Sequence, residues 1–184
     1  AICKSADKYL YDEAIGGYRL NTNFHEEKYD MGRMFGFAYG EKENGAVFSH
    51  MAVMYAAALY ERGFVKEGHK ALSALSNAAL NTEVSRIYPG VPEYFNNTGK
   101  GLYHYLTGAA SWYALTMVTE VFGVKGEMGN LAIEPKLMPE QFDKSGKASM
   151  QFVFGGNNYE IVFVNKENLS YKTYAISSAL IGDK

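Results

Sequence analysis

The sequence has few of the features that mark a secreted, membrane-spanning or nucleic-acid-binding protein. Its single cysteine, Cys3, rules out an intramolecular disulfide, so we expect a reducing, cytoplasmic setting. The 18 lysines and arginines are fewer than the 20 aspartates and glutamates, and this balance provides no basic footprint for nucleic acid. No apolar run reaches the length of about 20 residues that spans a bilayer.

An initiator methionine is also missing. The chain begins Ala1-Ile2-Cys3-Lys4, which does not have the pattern of a signal peptide. Its 184 residues are enough for one domain, or for one small domain with part of another. We therefore expect a fragment of a larger protein or a processed chain.

Tyrosine and phenylalanine are abundant, whereas the pattern that could suggest a metal site is incomplete. The chain contains 15 Tyr and 11 Phe. Such a load is typical of sugar-binding proteins, whose aromatic rings stack on sugars, and equally of a well-packed core. His25-Glu26-Glu27 has no second histidine at ligand spacing, so we expect a solvated charge cluster and no metal site.

Helical spacing of apolar residues predicts three helices, over residues 49–62, 66–80 and 109–122. Gly63 and Gly123 follow the first and third and are expected to end them. The stripe of Met51 and Met54 in the first helix is interpreted as core material. The short link at residues 63–65 predicts that the first two helices are antiparallel.

The segments around these helices are more irregular. We predict a turn at residues 12–17, a strand at 18–24 whose Arg19 is solvated or meets a carboxylate, and a loop at 30–39. In the long connection of residues 81–100, Glu93-Tyr94-Phe95 are candidates to line a cleft. Beyond residue 124 the pattern predicts a hairpin over 148–164 and a last strand over 171–176.

Two of the predicted helix starts have the composition of an anion site. Ser49 and Thr107 stand where N-cap residues belong, followed by His50 and Gly108. A helix start offers unpaired N–H groups and the positive end of a dipole, and Gly108 has no Cβ to keep an oxyanion away. Two such starts that converge with an imidazole would bind phosphate. The alternative stays open, because most Ser and Thr residues at helix starts only cap the helix.

Three pieces of the sequence, in this order, resemble the C-terminal part of glycoside hydrolase family 94, the inverting glycoside phosphorylases. They are Lys42-Glu43-Asn44-Gly45 with Ser49-His50, Tyr105-Leu106-Thr107-Gly108 with Ser111-Trp112, and Leu131-Ala132-Ile133-Glu134-Pro135-Lys136-Leu137. The last is similar to the "L-x-I-x-P-x-L" pattern of that family. The resemblance extends from about residue 32 to about residue 164, and within the family it is nearest to the 1,2-β-oligoglucan phosphorylases.

The resemblance implies an α+β fragment of a multidomain protein. Residues 1–123 would be the last helices of an (α/α)6 barrel, and residues 124–184 a C-terminal β-sandwich-like domain. Three helices cannot close a six-hairpin barrel, so the remainder of the enzyme chain is an expected partner. Without it, the fragment should expose an apolar helix face. A homodimer is left open.

The resemblance also implies a reaction, the reversible cleavage of a β-glucosidic bond by inorganic phosphate with inversion, which yields a sugar 1-phosphate. Phosphate is a co-substrate, and no cofactor is expected. His50, Thr107 and Gly108 would contact the phosphate, and Lys42 and Glu43 the sugar substrate, a β-glucoside or β-oligoglucan.

The general acid of the family is an Asp in a motif that lies upstream of the matching region. Asp7, Asp12, Asp30 and Asp143 stand in other contexts, so the isolated chain should be inactive. Two alternatives remain from the sequence. One is a non-catalytic carbohydrate-binding or structural module, and the other is the phosphorylase-like part of a cyclic β-1,2-glucan synthase.

Overall fold

The computed structural model describes residues 1–88, 90–104 and 107–182, which form an α+β fold with several short antiparallel sheets. The α-helices are α1 (Ile2–Tyr9), α2 (Ser49–Glu61), α3 (Val65–Leu80), α4 (Thr82–Ser85) and α5 (Ala109–Thr116). Short 3-10 helices span Tyr29–Gly36 and Pro139–Gln141, and a π-helical turn, Met117–Val121, continues α5. Within the described residues, no helix is both long and apolar enough to cross a bilayer.

In the described residues, nine strands form four small sheets. The strands are β1 (Tyr11–Asp12), β2 (Gly17–Tyr18), β3 (Val47–Phe48), β4 (Tyr94–Phe95), β5 (Gly101–Leu102), β6 (Val124–Glu127), β7 (Asn130–Ile133), β8 (Lys147–Phe154) and β9 (Asn157–Val164). Strand β4 is the centre of a three-stranded sheet of order β3-β4-β5, and the other strands pair as hairpins. The central sheet positions the start of α2, because β3 leads directly into that helix.

Helices α2 and α3 form the predicted antiparallel pair. Gly63 ends α2 in the left-handed conformation, with φ of +74°. Its N–H bonds to the carbonyl of Tyr60, and the N–H of Phe64 bonds to that of Leu59. This is a Schellman motif, which satisfies the last carbonyls of the helix and reverses the chain within a few residues. The expected role of Gly63 is therefore confirmed.

The interpretation of the methionine stripe as core material is wrong. Met51 and Met54 lie on the outer face of α2, with 48% and 41% of their surface exposed. The buried face is formed instead by Ala52, Val53 and Ala56. Because α2 is apolar on several sides, its periodicity does not tell which face packs inward, and the small alanines allow closer packing.

Further apolar side chains of α5 are exposed in the same way. Trp112 is 40% exposed and Leu115 is 53% exposed. Helices α2 and α5 pack on one another, so two neighbouring helices both carry exposed apolar residues. The helices of the described part do not close a barrel. Exposed apolar surface on a helix pair is typical of a face that another element covers.

The main hydrophobic core includes residues from both the helical and the strand-rich parts of the chain. Tyr60 and Leu72 from α2 and α3 cluster with Val121, with Leu137, and with Ala148 of β8. The division at residues 123 and 124 stays a prediction.

The hairpin predicted over residues 148–164 is the two-stranded β8–β9 ribbon, and its turn is Gly155-Gly156. Its outer face is apolar in places, since Val153, Val162 and Val164 are 68%, 47% and 55% exposed. No third strand pairs with it among residues 1–88, 90–104 and 107–182. Both long edges of the ribbon therefore have unpaired backbone groups in this part of the chain.

Four predicted segments differ from the structure. The strand predicted over residues 18–24 ends at Tyr18, and the side chain of the next residue, Arg19, bonds to two loops. The loop predicted over 30–39 is largely 3-10 helical. The third helix changes to a π-helical turn after Thr116. The last strand, predicted over 171–176, is a turn followed by irregular backbone whose Tyr174 hydroxyl bonds to the carbonyls of Pro135 and Leu137.

Candidate functional site

Ser49 is the first residue of α2 and not its N-cap, which corrects the prediction. Phe48 has the cap position and makes no side-chain cap bond. The N–H of Ser49 instead donates to the carbonyl of Glu93 at 2.9 Å, so the central sheet satisfies the first N–H of the helix. The Ser49 hydroxyl is fully buried and has no hydrogen-bond partner among the described residues.

Helix α5 begins at Ala109, as predicted, but its N-cap is Gly108 and not Thr107. Gly108 has the cap position, because its carbonyl accepts the N–H of Trp112 at 3.0 Å. The hydroxyl oxygen of Thr107 still accepts the N–H of Ala109 at 3.1 Å. Thr107 therefore stabilises the helix start from just outside it, and its hydroxyl hydrogen is left to donate elsewhere. Tyr105 and Leu106, which complete the second sequence piece, lie outside the described residues.

The packing of α2 on α5 brings the two helix starts together. An ideal Cβ placed on Gly108 lies 3.7 Å from Cε1 of His50 and 3.8 Å from Cδ1 of Trp112. The rings of His50 and Trp112 are also in contact, with their centroids 5.6 Å apart and their planes tilted by 52°. The imidazole of His50 is therefore next to the first peptide of α5.

The donors at this point are not engaged by the described part of the protein. No residue in 1–88, 90–104 or 107–182 forms a hydrogen bond with the His50 ring. The same is true of the N–H groups of Gly108 and Ser111. An imidazole beside open N–H groups at a helix start is a combination that can bind an oxyanion.

Lys42 is held by an ion pair that the sequence did not indicate. Its Nζ lies 2.7 Å from Oε2 of Glu93 and 3.4 Å from the centre of the Tyr103 ring. Lys42 therefore does not form an ion pair with its sequence neighbour Glu43. Glu43 pairs with Arg33 at 3.2 Å, and its Oε2 is buried with no partner in the described residues. The two candidate sugar contacts thus have different surroundings.

Of the segment Glu93-Tyr94-Phe95, which was expected to line a cleft, only Glu93 is partly exposed. Tyr94 and Phe95 are buried in β4. Burial raises the pKa of Tyr94, and so does the hydrogen bond that its hydroxyl donates to Oε2 of Glu41 at 2.9 Å. Tyr94 is thus a fixed neutral support, and Glu93 is the residue of this segment that faces a charged group.

Arg19 fixes the loop that carries Lys42. Its guanidinium donates to Oδ2 of Asp12 at 2.9 Å, to the carbonyl of Gly45 at 2.7 Å and to Oδ1 of Asn97 at 2.9 Å. Burial works to raise the pKa of Asp12, but the N–H of Ile15 and the Arg19 guanidinium outweigh it and hold that pKa below its ordinary value. The sequence left open whether Arg19 is solvated or meets a carboxylate, and the structure shows that it meets a carboxylate.

We expect Arg19→Ala to lower the free energy of unfolding by about 2 kcal/mol, because it removes charge-assisted hydrogen bonds at a half-buried site. Hydrogen exchange of the Gly40 and Asn44 amides, which bond within the Lys42 loop, should accelerate. Arg33→Ala is the matched control, since Arg33 is 74% exposed and pairs with Glu43 of the same loop. An equal effect of the two variants on Gly40 and Asn44 would contradict the anchoring role of Arg19.

A serine–histidine–carboxylate group elsewhere does not have the geometry for nucleophilic catalysis. Oγ of Ser73 and Oε1 of Glu140 both approach Nε2 of His69, at 3.4 and 3.3 Å. A catalytic arrangement requires the serine and the carboxylate on opposite ring nitrogens. In the described residues, no group of three or more His, Cys, Asp or Glu is placed to bind a metal ion.

Two hollows of the surface lie away from these residues. One is lined by β6 and β7 near Gly123, and the other by the tip of the β8–β9 hairpin. A search against protein-family models finds no match, and no curated protein is significantly similar to the chain in sequence. Function is therefore inferred from the geometry around His50 and Lys42 and from the resemblance of the motifs.

Proposed function

We propose that the chain is the C-terminal part of an inverting glycoside phosphorylase, which cleaves a β-glucosidic bond with inorganic phosphate. The observation that supports this function is the imidazole of His50 beside Gly108, at the start of α5. In the proposed site, His50, Thr107 and Gly108 contact phosphate. Lys42 and Glu43 lie on the side of the sugar.

The chemistry assigns the chain a binding role. A phosphate oxygen attacks the anomeric carbon from the face opposite the glycosidic oxygen, and that oxygen leaves with a proton from a general acid. Because phosphate is itself the nucleophile, no second carboxylate is needed as a base. The His50 imidazole, the Thr107 hydroxyl and the N–H of Gly108, which has no acceptor among the described residues, are neutral or cationic donors that suit a dianion.

The exposed apolar face of α2 and α5 fits the same proposal. Met51, Met54, Trp112 and Leu115 would be covered by preceding helices of an (α/α)6 barrel, in which residues 1–123 are the final part. The segment at 124–184 would be the following β domain. The general acid would come from the remainder of the enzyme, so that the present chain binds substrate without turning it over.

We expect inorganic phosphate to shift the ring resonances of His50 saturably in an NMR titration of the chain. His50→Ala should weaken phosphate binding at least about tenfold, because a charge-assisted hydrogen bond is lost. His69→Ala is the matched control, since His69 is also half-buried on a helix but contacts Glu140 and Ser73. Its phosphate affinity should equal that of the unaltered chain.

The same titration separates the proposal from its main alternative. If phosphate leaves His50 unchanged while a β-glucoside shifts the resonances of Lys42, the chain is a carbohydrate-binding module without a phosphate site. If the His50→Ala and His69→Ala variants bind phosphate equally well, the assignment of His50 is wrong.

A further inference from the structure

Glu93 is at the junction of the three segments that form the candidate site. Its N–H donates to the carbonyls of Leu102 and Tyr103, each at 3.0 Å. Its carbonyl accepts the N–H of Ser49 at 2.9 Å, immediately before His50. The backbone of one residue therefore joins the start of α2 to the segment that leads towards Thr107.

The side chain of Glu93 compensates the charge of Lys42. The ion pair of 2.7 Å is largely removed from water, with 16% of the Lys42 side chain and 20% of the Glu93 side chain exposed. A short pair of this kind is stronger than a surface pair, because solvent screens it less. The Tyr103 ring beneath Nζ further restricts where the ammonium can lie.

The backbone conformations that place this pair are energetically unfavourable. Lys42 and Tyr103 both have left-handed backbone conformations, with φ of +47° and +58°, which are uncommon for residues other than glycine. These two residues contact one another through the ammonium and the ring. Left-handed non-glycine residues occur where the surrounding structure determines a position strongly, as it does at binding sites.

We propose that Glu93 is a positioning residue that divides the site by charge. The Glu93 carboxylate compensates the positive charge of Lys42. The ammonium of Lys42 is then held in place to donate hydrogen bonds to neutral hydroxyl groups, and it does not attract phosphate. The anion then binds only at His50 and the start of α5, a part of the inference that rests on the proposed function. An uncompensated lysine would bind phosphate as a point charge and compete for it.

Glu93→Gln tests this division, because glutamine has the same shape and removes only the charge. With inorganic phosphate as the probe, we expect the Lys42 side-chain resonances of this variant to shift saturably, with an affinity at Lys42 at least about tenfold above that of the unaltered chain. Glu41→Gln is the matched control, since the Glu41 carboxylate accepts hydrogen bonds from Tyr94 and Asn96 but forms no ion pair with Lys42. Its Lys42 response should equal that of the unaltered chain.

Two outcomes would overturn the role of Glu93. One is a phosphate response of Lys42 that is as strong in the unaltered chain as in Glu93→Gln, and the other is no gain in a folded Glu93→Gln variant. If Glu93→Gln does not fold, Glu93→Asp, which withdraws the carboxylate by one methylene, should give a gain of about threefold. The absence of that gain overturns the inference. Failure of the proposed function is separate, because it would remove the His50 response in every variant and leave the Lys42 readout intact.

Discussion

Gly123→Ala should lower the free energy of unfolding by more than about 4 kcal/mol, the range of exceptional single substitutions. Gly123 follows the π-helical turn and has φ of +67°, which disfavours any residue with a Cβ. A Cβ at this position would lie 1.8 Å from the carbonyl oxygen of Glu134. The backbone fixes the position of the Cβ, and the Glu134 carbonyl is itself backbone, so neither can rotate away. The hydrogen bond from the Glu134 N–H to the Gly123 carbonyl would therefore break.

Gly129→Ala is the control for backbone conformation alone. Gly129 also has a positive φ, +84°, but an added Cβ meets nothing within 4 Å. We expect a loss of about 1–2 kcal/mol, the cost of a left-handed residue without a clash. Urea denaturation followed by circular dichroism measures both variants. Equal losses at Gly123 and Gly129 would show that the close approach of Glu134 does not determine the stability of this junction.

Glu120→Ala should lower the free energy of unfolding by about 3–5 kcal/mol, because it leaves a buried charge without its partner. Only 7% of the Glu120 side chain is exposed, and its two oxygens pair with Lys125 at 2.6 Å and Lys136 at 3.1 Å. Nζ of Lys136 also donates to the carbonyl of Tyr60 at 3.0 Å, which links α2 to the strand-rich part. Without Glu120, the largely buried ammonium of Lys136 would retain, among the described residues, that neutral acceptor alone.

The two lysines provide the controls for this prediction. Lys125 is 39% exposed, so Lys125→Ala should cost no more than about 1 kcal/mol. The double variant Glu120→Met, Lys136→Met removes both buried charges together and should recover a large part of the loss. A double variant that is less stable than Glu120→Ala would mean that packing or the Tyr60 contact, and not the unpaired charge, accounts for the effect.

Local signals in the sequence were sufficient for the α2–α3 pair and for the β8–β9 hairpin. In the first case Gly63 ends the helix, and in the second Gly155-Gly156 separates two alternating runs. Whether the methionines of α2 are buried or exposed was not predictable in the same way. Their exposure depends on which neighbour packs against an apolar helix, and periodicity within one helix has no information on that choice.

The candidate site shows the same limit. The sequence placed His50 and Gly108 at helix starts, but their closeness depends on how α2 packs on α5. The contacts of Arg19 with Gly45 and Asn97 join residues 26 and 78 positions apart, and the pair of Lys42 with Glu93 spans 51 positions. Single charged residues in irregular segments have no periodic pattern, so such long-range partners were not predictable.

The β8–β9 ribbon has a consequence for how the protein behaves at high concentration. Two strands with open edges and exposed valines present a template on which a further extended chain can align. A free monomer in dilute solution keeps those backbone groups hydrated, whereas crowding favours their pairing between molecules. We therefore expect the chain to self-associate reversibly through the edges of the ribbon at high concentration. A charged residue in place of Val153 should reduce this self-association.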